Sequence, residues 1–393
     1  MVIRLKKNKE KAVLNFHPWV FSGAIESVDS GIKSGDIVEV LSHQGSFLAW
    51  GHFDPSSQIR IRLFSFDSKE DGSNLSFWFS RWTEIHDRKL KTLPKNTNGF
   101  RLFHSEGDGV PGIVVDIYHK TAVLQLKTPG AIRLRSPLVQ FLENVGYDTI
   151  VEKFDKADQK QGVDVNFLKG HKDQFTFLEN GYLFIADIEK GQKTGFFLDQ
   201  RDNRALLGLY AKDKNILNTF AYSGAFSVYA LLNGAKSVHS LDISKQALDI
   251  CEENLKLNGL ENDINSGKHK SLVMDCFDYL KTMESGLYDC IILDPPAFTK
   301  NISTVMQASR GYKDINMRAI SKIQKNGFIF TFSCSQHISF DLFKKIVFGA
   351  AKDAKKRVRI LHHLTQSPDH GYSVYHPEGE YLKGLVIQVD GEI

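Results

Sequence analysis

The stretch 218-NTFAYSGAFS-227 follows the apolar run NIL and leads into a second one, FSVYALLN. It reads as the turn from a buried strand into a helix, and its composition decides which α/β fold the chain can adopt. A dinucleotide-binding turn would show G-x-G-x-x-G, and only Gly224 stands here, so NAD is not expected. Ala221, Ser223, Gly224 and Ala225 are small enough for the backbone to approach a ligand closely.

Working outward, the same strand–helix alternation continues to the C-terminal side. The expected strands are NILNTF, SVHSLDI, KSLVMD, YDCIILDPP and GFIFTFSCS, with a helical stretch after each of the first four. Such alternation predicts a parallel sheet with crossover helices, a doubly wound α/β domain over 191–393. Ligands of these sheets lie at the carboxyl ends of the strands. There the second strand ends in Asp242, 18 residues after Gly224, the third in Asp275, and the fourth in 294-DPPAF-298. Acids at three successive strand ends, followed by a diproline, are the layout of a Rossmann-like, class I S-adenosylmethionine-dependent methyltransferase. In that layout Asp242 takes the ribose hydroxyls, Asp275 the adenine amino group, and the loop around Ser223 and Gly224 the methionine portion. Cys276 offers its backbone N–H to adenine. Asp242 and Asp275 are equally well placed to cap the helices that follow them, a role compatible with ligand binding.

Upstream the pattern differs. GDIVEVL, SFLAWGHFD and QIRIRLFSF are short strands of a small β-barrel over 1–70. After the polar linker DSKEDGSN, an amphipathic helix is expected around SFWFSRWTEIHDRKLK, with Phe77, Phe79, Trp82, Ile85 and Leu90 on one face. A hairpin in RLFHSEGDGVPGIVVDIYHKTAVLQL, a helix and further strands complete a central α+β domain over 75–190.

Composition bounds the rest. The 393 residues carry a net charge of +4, too mild for a dense polyelectrolyte binder. Positive charge is nonetheless concentrated in Arg4, Lys6, Lys7, Lys9 and Lys11, and again in seven Lys or Arg between 344 and 359. Either run is a solvated face or a phosphate contact. The first residues lack the apolar core of a secretion signal, and no run of 18 apolar residues could span a membrane. Cysteines at 251, 276, 290 and 334 form no C-x-x-C pair, so neither a disulfide framework nor a metal site is expected, and a reducing cytoplasm fits.

The fifth strand, in 328-FIFTFSCSQHI-338, ends at Cys334 between two serines. A free cysteine is usually a buried, inert apolar group. Strands four and five should be neighbours about 4.8 Å apart, however, which brings Asp294 and Cys334 to one edge. Carbon 5 of cytosine is too weak a nucleophile to take a methyl group directly. Thiolate attack on carbon 6 makes it enamine-like, and Asp294 would hold the pyrimidine edge. Pro295 and Pro296 fix the loop, and Phe298 offers a ring face to a base. Methylation of a nucleobase nitrogen would need the diproline but no thiol.

The runs 191-GQKTGFFLDQRDNR-204, NTFAYSGAFS, DPPAF, SCSQHI and 378-EGEYLKGLVIQV-389 resemble the large-subunit ribosomal RNA methyltransferase I family, and 14-LNFHPWVFSGAIE-26 resembles its opening PUA domain. That resemblance covers nearly the whole chain. It implies an S-adenosylmethionine-dependent cytosine-C5 methyltransferase with ribosomal RNA as partner, an RNA-binding PUA barrel over 1–70, and Cys334 as nucleophile. It also implies a cofactor site with Phe197, Tyr222, Ser223, Gly224, Asp242, Asp275 and Asp294. The segment 191–204 is expected to close over the cofactor through Thr194, Gln200 and Arg201. DNA is not expected as a partner; a homodimer is one option for the assembly.

Overall fold

The computed structural model describes residues 1–154, 164–172, 174–299 and 301–393. Contacts divide them into two units. The first takes residues 1–181, 186–198 and 368–379; the second takes 182–185, 199–367 and 380–393.

In the first unit, β1 (Val2–Leu5), α1 (Lys11–Leu14), β2 (Trp19–Phe21), β3 (Ile25–Val28), β4 (Ile37–Leu41), β5 (Phe47–Phe53) and β6 (Ile59–Ser65) come first. The strands form one mixed sheet in the order β2-β6-β5-β4-β1-β3. Alternation in β4 buries Val38 and Val40, which join Ile3, Leu5, Ala49, Ile61 and Leu63 in one core.

A second core follows. It is built on α2 (Leu75–Thr92), capped by the Asn74 side chain accepting from the Ser76 N–H. Its buried stripe is Trp78, Trp82, Ile85 and Lys89, with Phe77 and Phe79 half-buried. Leu90, expected on this face, is 46% exposed. The helical repeat brings Lys89 to the inner position instead, where it pairs with Asp108 at 2.9 Å and donates to the Asp369 carbonyl. Burying an indole removes roughly 150–250 Å² from water, about 4–6 kcal/mol for each of Trp78 and Trp82.

Beside α2 lie β7 (Gly99–His104), β8 (Ile113–Tyr118), β9 (Thr121–Leu126), α3 (Pro129–Arg133), α4 (Arg135–Asn144), β10 (Thr149–Lys153) and β11 (Val165–Lys169), with β12 (Thr176–Glu179) closing the unit. The expected hairpin is thus a three-stranded meander, β7-β8-β9, extended by parallel β10 and antiparallel β11. Segment 368–379 is held here by the Arg101 N–H donating to Asp369 Oδ2 at 2.9 Å.

The second unit opens with β13 (Tyr182–Ile185), whose Ile185 N–H donates to Asn254. Then come α5 (Arg201–Tyr210), β14 (Asn215–Thr219), α6 (Ala225–Leu232), β15 (Ser237–Asp242), α7 (Lys245–Leu257), α8 (Glu261–Asn265), β16 (His269–Val273), α9 (Cys276–Thr282), β17 (Cys290–Leu293), α10 (Val305–Lys322) and β18 (Gly327–Ser333). Last are α11 (Phe340–Asp353), β19 (Lys356–Leu364) and β20 (Lys383–Glu392). The sheet order is β16-β15-β14-β17-β18-β20-β19, parallel except for β20, which runs antiparallel to both neighbours. The order reverses between β14 and β17, the switch point where such sheets bind ligands. The basic run from 344 is paired in part with acids: Arg359 with Asp390 and Lys344 with Asp341.

Among the described residues no helix is long and apolar enough to cross a membrane, and no cluster of His, Cys, Asp or Glu is arranged to hold a metal.

Candidate active site

The turn after β14 is unusual backbone. Phe220 and Tyr222 have φ of 53° and 46°, and Gly224, the residue before α6, has φ 71°. Bulky residues rarely adopt the left-handed region, and such strain concentrates at ligand sites. What holds it is a set of local bonds. The Tyr222 N–H donates to Asp242 Oδ2 at 2.9 Å, and the Asn254 amide donates to the Ser223 carbonyl at 2.8 Å. Gly224 is required for packing as well as for φ, since a Cβ there would stand 2.0 Å from Cys251 Sγ. That cysteine is fully buried on α7, and burial pushes its thiol up to about 12.

Asp242 and Asp275 both bind backbone. Asp242 Oδ1 accepts from the Ser244 N–H, and Asp275 Oδ1 caps α9 through the Phe277 and Asp278 N–H groups at 2.8 and 3.1 Å. Asp275 uses only Oδ1 for this, which leaves Oδ2 as an acceptor at the sheet edge. Cys276 is buried behind it with its thiol also pushed up to about 12, as suits a residue contributing backbone alone.

On the other side of the switch point the bonds run between side chains. Leu293 registers with Thr331, so Asp294 and Cys334 leave adjacent strands at one edge. The Gln200 amide donates to Asp294 Oδ2 at 2.9 Å, and Asn203 donates to Gln200 Oε1 at 2.6 Å. Gln200 therefore reaches Asp294. Arg201 is buried at the start of α5, with Nε 3.2 Å from Asp202 Oδ1. Thr194 and Phe197 belong to the first unit, where Thr194 donates to Asp116 and the Phe197 ring carries the Lys193 ammonium at 4.6 Å.

The serines flanking Cys334 point inward and are fully buried, whereas Cys334 is partly exposed, its Sγ 3.8 Å from the Pro295 carbonyl. Ser335 Oγ meets the Tyr312 hydroxyl at 2.9 Å and the Thr299 N–H at 3.4 Å, tying the diproline loop to the end of β18. Pro295 is buried and Pro296 exposed. The Phe298 ring, half-buried, packs on Tyr312 with centroids 4.5 Å apart. Lys383, which sequence reasoning passed over, is 2% exposed and donates to the Ser335 carbonyl at 2.9 Å. Its only signal was a lysine opening the apolar run GLVIQV.

Comparison with known proteins adds to this geometry. The PUA-like domain family matches residues 3–66, and the S-adenosylmethionine-dependent methyltransferase family matches residues 158–364. The protein named ribosomal RNA large subunit methyltransferase I of Alteromonas mediterranea is 38% identical over 98% of both chains. The one of the same name from Pseudoalteromonas atlantica is 40% identical over 98% of this chain and 99% of its own. A crystal structure of a chain assigned as a methyltransferase, complexed with SAH, superposes with a TM-score of 0.85 at 25% identity, covering 99% of this chain and 100% of that one.

Proposed function

The chain belongs to the ribosomal RNA large subunit methyltransferase I family, and on that premise we propose that it forms 5-methylcytosine in large-subunit ribosomal RNA through Cys334. Its cofactor is S-adenosylmethionine, which when bound supplies the electrophilic methyl group. The residues suit that cofactor: Asp242 for the ribose, the free oxygen of Asp275 for the adenine amino group, and the strained turn at Tyr222–Gly224 for the methionine end.

The observation that carries the cytosine reading is the partly exposed Cys334 at the same strand edge as Asp294, next to Asp242 and Asp275. Its thiolate forms the Sγ–C6 bond, and the C5=C6 electron pair then makes carbon 5 nucleophilic. Asp294, held by Gln200, accepts from the exocyclic amine of the pyrimidine edge. Loss of the carbon 5 proton to water and return of the Sγ–C6 pair to sulfur restore the C5=C6 bond and free the thiolate. The base must leave its stack to arrive here, so an unpaired cytosine is the substrate. Incubation with a ribosomal RNA fragment carrying 5-fluorocytosine tests this. A stable protein–RNA adduct at Cys334 is expected; methylation of a base nitrogen with no adduct would replace the reading.

The barrel supplies RNA affinity. Phe16 is 48% exposed at a φ of 61°, edge-on to Phe66 and 5.2 Å from Tyr375, itself 52% exposed. An exposed ring held in strained backbone, near the basic run Lys6–Lys11, offers a base-stacking face. Because β6 contributes Phe64 to the second core, deleting residues 1–70 would disturb both cores. The test is therefore Phe16→Ala with Tyr375→Ala. RNA affinity should fall at least tenfold and cofactor affinity should hold.

A further inference from the structure

The end of β20 places a buried cation behind the nucleophile. Lys383 registers with Ser333, the residue before Cys334, and its ammonium reaches the carbonyl of Ser335, the residue after it. The side chain is 2% exposed, and that carbonyl is its one hydrogen-bond partner among the described residues. No carboxylate among them forms an ion pair with it. A buried ammonium satisfied only by a neutral carbonyl is costly, and proteins normally pair such charges. The charges that bear on Lys383 are Cys334 first and Glu380 second. Burial lowers the lysine to about 8, so it is still mostly protonated at neutral pH.

We propose that Lys383 is a positioning residue whose ammonium is the counter-ion of the Cys334 thiolate. The inference rests on the nucleophile reading above and adds to it a cation that favours the ionised thiol before substrate arrives. A cation beside a cysteine favours the thiolate. The β18–β20 ladder fixes Lys383 opposite Ser333, and its ammonium is held at the Ser335 carbonyl, one residue beyond Cys334. After attack on carbon 6 the sulfur is neutral, and the same ammonium waits for the thiolate to return. The proton stays on the lysine nitrogen throughout, and the carbon 5 proton leaves to water rather than to Lys383. Tyr312 and Ser335 complete the surroundings through their mutual hydrogen bond.

The test needs no RNA. Cys251, Cys276 and Cys290 are buried with thiols pushed up by desolvation, so iodoacetamide reports on Cys334 in the native full-length protein. The alkylation rate, read at the Cys334 peptide by mass spectrometry, is followed from pH 5 to 10 in the parent, Lys383→Met and Lys383→Gln. Both variants should show the midpoint raised by at least about one unit and a rate at pH 7 reduced about tenfold or more. Gln keeps a donor for the Ser335 carbonyl, so a structural role alone would leave K383Q at the parent midpoint. That result, or an unmoved midpoint in folded K383M, overturns the proposal. Failure of the nucleophile reading is seen elsewhere, as methyl transfer surviving in Cys334→Ala.

Discussion

The two halves of the seven-stranded sheet solve different problems at the same edge. On the β14-β15-β16 side, carboxylates are fixed by backbone N–H groups: Asp242 by Ser244 of its own turn and by Tyr222 of the turn after β14, Asp275 by Phe277 and Asp278. On the β17-β18-β20 side, groups are fixed by side chains distant in sequence: Asp294 by Gln200, Ser335 by Tyr312 and Lys383. Backbone bonds give a rigid mould for a ligand of constant shape. Side-chain bonds can be spent on charge, which is what chemistry at a base requires. On the reading proposed above, the first half would be built to fit the cofactor and the other half to react.

The sharpest break in this contrast is Cys334→Ala. Methyl transfer should fall by about 10³-fold or more, while the affinity for S-adenosylhomocysteine measured by calorimetry stays within about twofold. A folded variant with near-parent turnover would return Cys334 to the inert class of the other three cysteines. Gln200→Ala comes next. It removes one charge-assisted hydrogen bond to Asp294, so transfer should slow about 10–100-fold with little change in cofactor affinity. If cofactor affinity falls in parallel, Gln200 is a cofactor contact, as its place in 191–204 first suggested.

Asp242→Ala should act in the opposite way, weakening S-adenosylhomocysteine binding about tenfold or more, since the ribose contacts and the anchor of the Tyr222 turn are lost together. Unchanged affinity would confine Asp242 to capping.

The smallest effect concerns the support beneath the cofactor half. A buried chain runs Asn218–Ser227–Ser240–His269 at 2.9, 2.7 and 2.8 Å. Burial lowers His269 from 6.5 to about 4. Its folded pKa lies below its unfolded one, so the unfolded state takes the proton first. The stability is full above about 6.5 and is lost as pH falls toward 4. Between pH 7 and 5 the loss is about 2 kcal/mol, which urea midpoints would register and His269→Gln would abolish. An equal slope in that variant would assign the acid sensitivity elsewhere, for instance to His52, buried in the first unit and also lowered to about 4.

The same contrast explains what could be read in the sequence. Strand ends, acids and turn lie within a few residues of one another along NTFAYSGAFS, SVHSLDI and KSLVMD, so the strand order and the acids at its edge were legible from local pattern. Neighbouring of β17 and β18, and hence of Asp294 and Cys334, followed from the parallel order. Lys383 was not legible, because its meaning comes from an antiparallel return strand that no strand–helix alternation announces. Gly224 was read as room for a ligand, whereas its nearest constraint is Cys251, 27 residues on, through the packing of α6 on α7. Leu90 was placed inward by approximate helical spacing, and Lys89 holds that position, paired with Asp108.

Segment 368–379 closes the first unit although nearly all of the second is threaded before it. Its Asp369 supplies a carbonyl for Lys89 and a carboxylate oxygen for the Arg101 N–H, so Lys89 has Asp108 but not this carbonyl, and the Arg101 N–H does not have this acceptor, until the segment is made. The interval from residue 198 to residue 379 is 181 residues, roughly 10–40 s of synthesis at about 5–20 residues per second. Throughout that time the nascent first unit exposes an unfinished surface around α2 and β7. Chaperone capture is therefore expected on ribosome-bound chains stalled after residue 198, and not on chains stalled after 379 has cleared the exit tunnel.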